Sequence, residues 1–258
     1  MPMGGGVKLS KGKPFSKFLA FTLAEVLITL GIIGVVAALT IPTLMQKTQE
    51  RESISKLKKV YSVLQNAYSR AINDEGEISD WGTISDDDAG SDLVMQKFVS
   101  YLNVLKNCGT DKSGCFYSGK YKILNGTVVA ANDYSDLDTS FSRVLLSDGT
   151  SISFDAYAQN LHYTADSAIV GMFIVDINGQ KKPNQWGVDT FDFSLLANGK
   201  LLPSGASVDT IRPFETYCDK DSSEYRNGRG CTAWVLYNEN MDYLHCTGLS
   251  WTGKTKCD

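Results

Sequence analysis

Six cysteines are the residues of this sequence whose type and spacing most clearly indicate a chemistry, namely disulfide formation. Cys108 and Cys115 enclose a short Gly-containing loop that a local disulfide would close. The other four cysteines permit three pairings. The pairs that proximity in the chain favours are Cys218–Cys231 and Cys246–Cys257. Because no CxxC pair or Cys/His cluster suggests zinc, the even count predicts disulfides in an oxidising compartment.

A group of oxygen-bearing side chains lies near the end of the apolar run Ala168–Ile177. Its members, spread over Gly and Pro turns, are Asp176, Asn178, Asn184 and Asp189. Calcium takes about six to eight oxygen ligands, which these side chains and backbone carbonyls could supply. However, Lys181 and Lys182 lie inside the loop, the EF-hand spacing is absent, and the same residue types build sharp turns. We expect a structural turn, with calcium as the alternative and no other cofactor.

Catalytic constellations are missing from the sequence. The two histidines are His162 and His245, and no HExxH, GxSxG or P-loop motif is present. His245 precedes Cys246, but a disulfide would remove that sulfur as a nucleophile. Scattered acidic residues leave a pair of catalytic carboxylates open as an alternative. We expect a protein that is not an enzyme.

One glutamate lies within an apolar stretch near the N-terminus. Between Phe21 and Ile41, Glu25 is the one ionisable side chain among residues that are otherwise apolar, Gly or Thr. As a helix this stretch would span roughly 30 Å, the thickness of a bilayer's hydrocarbon core. Since a carboxylate at that depth is costly, Glu25 is predicted to have a function and a partner. The alternative is a plain signal anchor in which Glu25 stays wet.

The residues on both sides of Glu25 form an ordered pattern. Upstream lies a leader without acidic residues, in which the lysines are Lys8, Lys11, Lys13 and Lys17. Phe18-Leu19-Ala20 and then Phe21-Thr22-Leu23-Ala24-Glu25 follow. This pattern resembles the prepilin signal shared by type IV pilins, type II secretion pseudopilins and competence pseudopilins. In that family the leader is cut before a Phe, and the glutamate lies four residues further on. Ala20 departs from the family's Gly at the cleavage site, which implies slower cleavage.

The resemblance implies a filament subunit. A prepilin peptidase would cut after Ala20 and methylate the new amino group of Phe21, with which Glu25 of a neighbouring subunit would pair. Gly34 and Pro42 fall where the family's long helix has weak points. The implied partners are the peptidase, other pilin or pseudopilin subunits, an inner-membrane assembly platform and membrane lipid. The loop after Asp176 likewise resembles the calcium-holding loop of major pseudopilins.

A different class of function stays open: a membrane-anchored binding module that does not polymerise. In such a module the N-terminal helix would be only a tether to the membrane. A tether needs neither Phe21 nor Glu25, so the presence of these two residues distinguishes the two hypotheses. The net charge of -4 gives no reason to expect nucleic-acid binding by the head, unless the filament serves DNA uptake. Within the filament class, the residues do not choose among a pilus, a secretion pseudopilus and a competence filament. The large, cysteine-rich head favours a minor or specialised subunit.

Beyond Pro42 the sequence predicts an amphipathic continuation of the helix. Apolar side chains recur every three or four residues, at Ile54, Leu57, Tyr61, Leu64, Tyr68 and Ala71. Asn73-Asp74-Glu75-Gly76 should end the helix, with Gly as the stop signal. Pro42 should kink it, because proline removes a backbone hydrogen bond to the preceding turn.

Farther along the chain the pattern changes from helix to strands. The turn dipeptides Asn125-Gly126, Asp148-Gly149 and Asn198-Gly199 each lie between segments of strand character and predict antiparallel hairpins. Ala168–Ile177 is the most apolar run of the head and should lie centrally in the sheet. A short helix is expected over Leu93–Leu105, after a solvated loop at Asp86–Asp88.

These elements together predict an α+β fold, in which a long N-terminal helix packs on an antiparallel sheet with a disulfide-stapled C-terminal region. This agrees with the pilin-like architecture that the resemblance implies. The expected organisation is a basic leader at 1–20, a transmembrane and assembly helix at 21–42, its amphipathic continuation at 43–76 and an extracytoplasmic head at 77–258. Lysines and arginines flank the span on both sides and do not decide its orientation. The cysteines place the head in the periplasm or outside the cell and the leader in the cytoplasm, for a single-pass inner-membrane protein.

Overall fold

The structure is a computed structural model that describes residue 1 and residues 22–82, 84–85, 87–111, 113–128, 141–157 and 167–257. The chain divides into two units, Met1–Gln46 and Lys47–Asp258. Helix α1, Leu23–Glu75, contributes residues to both. Together with the antiparallel sheet of the second unit, this helix gives the expected α+β class.

The second unit contains six strands and three further α-helices among its described residues. The strands are β1 (Val104–Gly109), β2 (Ser142–Leu146), β3 (Ser151–Ala156), β4 (Ile169–Asp176), β5 (Thr190–Leu196) and β6 (Leu201–Pro203). The helices are α2 (Asp88–Val99), α3 (Phe214–Tyr217) and α4 (Thr232–Asn238). Short 3₁₀ turns cover Ile78–Trp81, Arg229–Cys231 and Asp242–Leu244.

The sheet is a meander in which each strand pairs antiparallel with the next, in the order β1 to β6. All residues of β4 are buried, and the strand lies between β3 and β5, so its predicted central position is confirmed. Gly149 and Gly199 both have φ of 88°, as the predicted hairpin turns β2–β3 and β5–β6 require. At Asn125-Gly126 the described residues, which stop at Val128 and resume at Phe141, show an isolated antiparallel bridge between Lys122 and Val128.

The amphipathic stripe of α1 packs on the sheet, as the sequence predicts. Its buried residues are Leu57, Val60, Leu64, Ala67, Tyr68 and Ala71. The Tyr68 hydroxyl donates a hydrogen bond of 2.6 Å to the carbonyl of Leu196 on β5. The ring of Tyr61 stacks on that of Phe193, 5.7 Å away. The helix ends at Glu75, and Gly76 follows with φ of 84°, which confirms the predicted stop.

The outer side of β6 is closed by a side chain of α1. Gln65 accepts a hydrogen bond from the Leu201 backbone N–H at 3.0 Å and donates one to the Gly199 carbonyl at 3.0 Å. Pro203, which ends the strand, has no N–H to offer. The amide of Gln65 therefore takes the place that a further strand would need, which is one way in which sheet edges are protected.

The predicted helix over Leu93–Leu105 is too long, because α2 ends at Val99. The backbone turns tightly, with the Tyr101 N–H donating to the Phe98 carbonyl at 2.9 Å, and β1 begins at Val104. Residues from Val104 onward form a strand rather than a helix because Val104 pairs with Leu146 on β2.

Of the solvated loop expected before α2, Asp87 and Asp88 are exposed as predicted, but they form the start of the helix. The Asp87 carboxylate accepts a hydrogen bond of 2.9 Å from the Gly90 N–H, which satisfies one of the free donors at the helix start. Asp88 is the first helical residue, and Asp86 lies outside the described residues.

Phe173 on β4 is the test residue for this core, because its ring packs 4.9 Å from that of Phe98 and 4.7 Å from that of Phe154. Replacing Phe173 by Ala leaves a cavity and should lower the free energy of unfolding by about 3–5 kcal/mol. Chemical unfolding of the full chain in detergent measures this. Leu105→Ala, at a side chain 67% exposed, is the control and should change stability by less than about 0.5 kcal/mol. Equal losses in both variants would contradict the packing described.

Candidate functional site

The described part of the first unit is an apolar helical surface. Leu30 is 60% exposed and Leu39 is 71% exposed, and large apolar side chains are exposed in this way from Leu23 to Met45. Helix α1 is long and apolar enough to span a membrane. Exposure of so much apolar area to water is unfavourable, and contact with lipid or with other apolar helices would remove that cost.

Glu25 lies in the first turn of α1 and bonds with the residue just before the helix. One oxygen of its carboxylate accepts hydrogen bonds from the Thr22 N–H at 2.9 Å and the Thr22 hydroxyl at 2.7 Å. The Glu25 N–H donates back to that hydroxyl at 3.2 Å. This reciprocal arrangement is a capping box, which occupies donors that the helix start leaves free. Thr22 thus holds the Glu25 carboxylate at the N-terminal end of α1.

The other N-terminal site residues divide into two groups. Gly34 and Pro42 are both helical, within the span of α1 from Leu23 to Glu75. A Cβ added at Gly34 would meet nothing within 4 Å, so nothing in the described structure requires glycine there. Ala20 and Phe21, where cleavage and methylation are expected, lie outside the described residues.

All six cysteines form disulfides with the partners that proximity favours. The bonds join Cys108 to Cys115, Cys218 to Cys231 and Cys246 to Cys257. Cys246 is therefore no nucleophile, and the neighbouring His245 instead contacts Glu50, with 2.9 Å between Nε2 and Oε1. The other histidine, His162, lies outside the described residues.

The structure brings the oxygen-bearing residues of the β4–β5 loop together. Asp189 accepts hydrogen bonds from the Asn184 N–H at 2.8 Å, the Gln185 N–H at 2.7 Å and the Asn178 side-chain amide at 3.0 Å. Asp176 accepts from the Asn178 N–H at 3.1 Å. The two carboxylates thus organise a tight turn, in agreement with the structural interpretation of this loop.

Both carboxylates of the loop are buried. Burial and the negative charge of Asp189 raise the pKa of Asp176 well above its usual range. Burial likewise raises the pKa of Asp189, although its hydrogen bonds oppose that change. Two carboxylates in such a place cost free energy when both are ionised, and a bound cation would remove part of that cost.

Two buried amide oxygens of this loop have the donor type that the calcium alternative requires. Asn178 Oδ1 and Asn184 Oδ1 are buried and have no hydrogen-bond partner. Together with Asp176 and Asp189 they are oxygen ligands of the type that calcium takes. Among the described residues, no group of three or more His, Cys, Asp or Glu side chains could hold a metal. An ion here would therefore depend on the amide oxygens and on main-chain carbonyls.

The structure contains a buried cluster of charges that the sequence did not predict. Asp192 on β5 is fully buried, and one of its oxygens lies 2.9 Å from Nε of Arg229 and 3.3 Å from Nε of Arg212. Arg229 also lies over the ring of Trp186, with 4.8 Å between its guanidinium carbon and the ring centre. Arginines are mostly exposed in proteins, so nothing in the sequence marked these two as buried. The two ion pairs connect the C-terminal region, which contains both arginines, to Asp192 on β5.

Comparison with known families concerns the second unit above all. One family model matches residues 43–250, which is most of the chain. The chain belongs to DUF6613. This is a family of unknown function. The matched residues begin after Pro42 and so leave out the prepilin-like stretch around Glu25. Neither a curated protein nor a solved structure matches this DUF6613 chain.

Asp192→Asn should destabilise the protein strongly, by about 3–5 kcal/mol, because it leaves two buried guanidinium groups without their shared negative charge. Unfolding of the full chain in detergent measures the loss. The matched control is Glu52→Gln, which removes the charge from an exposed pair with Lys56 on α1 and should cost less than about 1 kcal/mol. A loss below about 1 kcal/mol in Asp192→Asn would show that the cluster does not need this charge.

Proposed function

We propose that this protein is a type IV pilin-like or pseudopilin subunit, processed by a prepilin peptidase and assembled through its N-terminal helix into a filament. The observation that carries the proposal is Glu25 in the first turn of an exposed apolar helix. The order of residues from the basic leader through Phe21 to Glu25 adds the resemblance to the prepilin signal. A long helix, an antiparallel sheet and a disulfide-bonded C-terminal region agree with a pilin-like architecture.

Charge pairing supplies the physical reason for assembly. A carboxylate in an apolar layer is expensive when it is alone, and a cationic partner removes much of that cost. Cleavage before Phe21 would create such a cation, the new amino group, at the end of α1 where Thr22 holds Glu25. Pairing between neighbouring copies would then fix their axial register. The exposed apolar side chains of α1 would bury one another in the filament core.

The proposed location is the inner membrane, with one span, a cytoplasmic leader and the head on the periplasmic or extracellular side. The three disulfides support this orientation, because such bonds persist in oxidising compartments. Export of the head also fits a filament that is extracted from the membrane outward. In this proposal the protein is a structural subunit and not an enzyme.

A membrane-anchored binding module is the second candidate, favoured by a groove beside α1. The groove has a volume of about 380 Å³, and its lining includes Tyr61 and Gln65 of α1, Lys200, and Tyr237 of α4. Tyr237 is 56% exposed and could contact a ligand. In this case the apolar helix would be a tether, and neither cleavage before Phe21 nor the charge of Glu25 would matter.

Glu25→Ala should leave membrane insertion intact and abolish recovery in sheared filament fractions, because the variant retains the apolar span but loses the charge pair. Immunoblots of membrane and sheared fractions measure both. Glu52→Ala, which removes an exposed carboxylate farther along α1, is the control and should assemble normally. Equal recovery of wild type and Glu25→Ala in the sheared fractions would contradict the assembly mechanism.

Mass spectrometry of the N-terminus should find a chain that begins at Phe21 with a methylated amino group, in membranes and in sheared fractions alike. Ala20→Gly, which restores the family's residue at the cleavage site, should raise the processed fraction. An unprocessed N-terminus in both fractions would favour the tether over the filament subunit.

A further inference from the structure

The last segment of the chain lies beside the part of α1 with which the second unit begins. Nε2 of His245 is 2.9 Å from Oε1 of Glu50, in the first turn that α1 contributes to this unit. The next residue, Cys246, is bonded to Cys257. Lys256 is exposed and directly precedes Cys257, so the disulfide holds it close to this part of the helix.

One end of the sheet lies beside the same part of α1. An ion pair of 2.6 Å between Lys59 and Asp148 ties the β2–β3 turn to the helix. Ser151, at the start of β3, pairs with Asp176 at the end of β4, so the β4–β5 loop begins at this end of the sheet too. The β5–β6 turn lies at the opposite end, where the Gly199 carbonyl accepts a hydrogen bond from a side chain farther along α1.

The β4–β5 loop contributes two exposed lysines, Lys181 and Lys182. The bond to Lys56 and, to a smaller extent, the charge of Lys181 lower the pKa of Glu52, an exposed carboxylate of α1. Lys181 is thus close enough to α1 to act on a carboxylate near the start of the second unit. The loop therefore adds its positive charges to those of the helix.

Three segments that meet at this place are strongly basic. Residues 47–59, 177–184 and 245–257 contain nine lysines and arginines but two acidic residues, whereas the whole chain has 25 and 29. The nine are Lys47, Arg51, Lys56, Lys58, Lys59, Lys181, Lys182, Lys254 and Lys256. Positive charge is therefore gathered at one place on a protein whose net charge is -4. We call the surface formed by these three segments the basic face.

Ion pairs do not cancel the charge of the basic face. Its two acidic residues, Glu50 and Glu52, are paired within the same segments. Two more acidic residues, Glu239 and Asp148, pair with lysines of α1 from outside them. With all four counted, the positive charges of the face still outnumber the negative ones by nine to four. The excess attracts an anionic partner.

Continuity of the chain brings this face to a membrane. The exposed apolar side chains of α1 continue as far as Met45, and Lys47 follows two residues later. Because a chain advances at most about 3.6 Å per residue, Lys47 lies within about 7 Å of Met45. The headgroup layer on each side of a bilayer is roughly 5–8 Å thick. Nucleic acid would also suit a basic surface, but only lipid is placed beside this one by the chain itself.

We propose that the basic face docks on the anionic phospholipid headgroups of the membrane that α1 spans. Each lysine or arginine near such a surface contributes about fivefold to the docking equilibrium, because anionic lipids attract basic side chains. These contacts orient the head on the bilayer and add to the hold of the apolar helix. The proposal rests on the membrane anchor, which the filament subunit and the tethered module share, and does not require polymerisation.

Hydrogen exchange of the full chain in lipid nanodiscs tests the docking. Amides of residues 179–182 and 250–256 should exchange at least about tenfold more slowly in nanodiscs that contain phosphatidylglycerol than in pure phosphatidylcholine, because docking protects them. Amides at the β5–β6 turn should exchange equally in both. In about 1 M salt the difference should vanish, since the Debye length falls to about 3 Å.

A double variant, Lys182→Gln with Lys256→Gln, removes one charge from each of the two loops. Docking should weaken about 30-fold, so most of the slowing by phosphatidylglycerol should disappear. Lys97→Gln with Lys200→Gln is the matched control. It removes the same charge away from the basic face, where Lys97 pairs with Glu75 at the end of α1, and should behave as wild type. An unfolding midpoint that stays unchanged in detergent shows that both double variants are folded.

The possible outcomes separate this docking from the anchor and from filament assembly. Equal exchange of the wild-type loops in both kinds of nanodisc would overturn the proposal and leave the Glu25→Ala test unaffected. Slowing by a DNA duplex added to phosphatidylcholine nanodiscs, without slowing by phosphatidylglycerol, would overturn it in favour of nucleic acid. A chain that does not enter nanodiscs would contradict the anchor itself, and the docking with it.

Discussion

Burial of the apolar stripe of α1 against the sheet is the contact on which the rest of the second unit depends. A sheet with one uncovered apolar face has no stable existence in water, and Leu57, Leu64 and Tyr68 cover that face. Phe98 of α2 and Phe173 of β4 extend the same core. The other face of the sheet carries a smaller core and the buried charges, which the loops and the C-terminal region cover.

Short-range patterns made much of this fold predictable. The stripe on α1 follows from helical periodicity, the β2–β3 and β5–β6 hairpins from Asp148-Gly149 and Asn198-Gly199, and the disulfides from proximity in the chain. Of the site residues, Glu25 stood out because its surroundings are apolar. These signals all lie within a few turns or a single loop of the residues they concern.

Long-range contacts account for what the sequence did not reveal. β1 lacks a regular alternation of apolar and polar residues, and it forms a strand because Val104 pairs with Leu146. The pairing of Asp192 with Arg229 joins residues 37 positions apart, and each residue alone reads as an exposed charge. Asp176 and Tyr121 are 55 positions apart, so the sequence did not reveal the hydrogen bond between them either. Such pairs are fixed by tertiary packing and carry no local signal.

The closed outer side of β6 limits how copies of this protein can associate. Gln65 takes the Leu201 N–H and Pro203 has none, so backbone pairing along this strand would first have to displace a side chain of α1. Molecules crowded at high local density are thereby discouraged from joining their sheets through β6, and joining of sheet edges is the route that leads to amyloid-like fibres. At this edge of the sheet, association is left to side-chain surfaces, which can be specific and reversible.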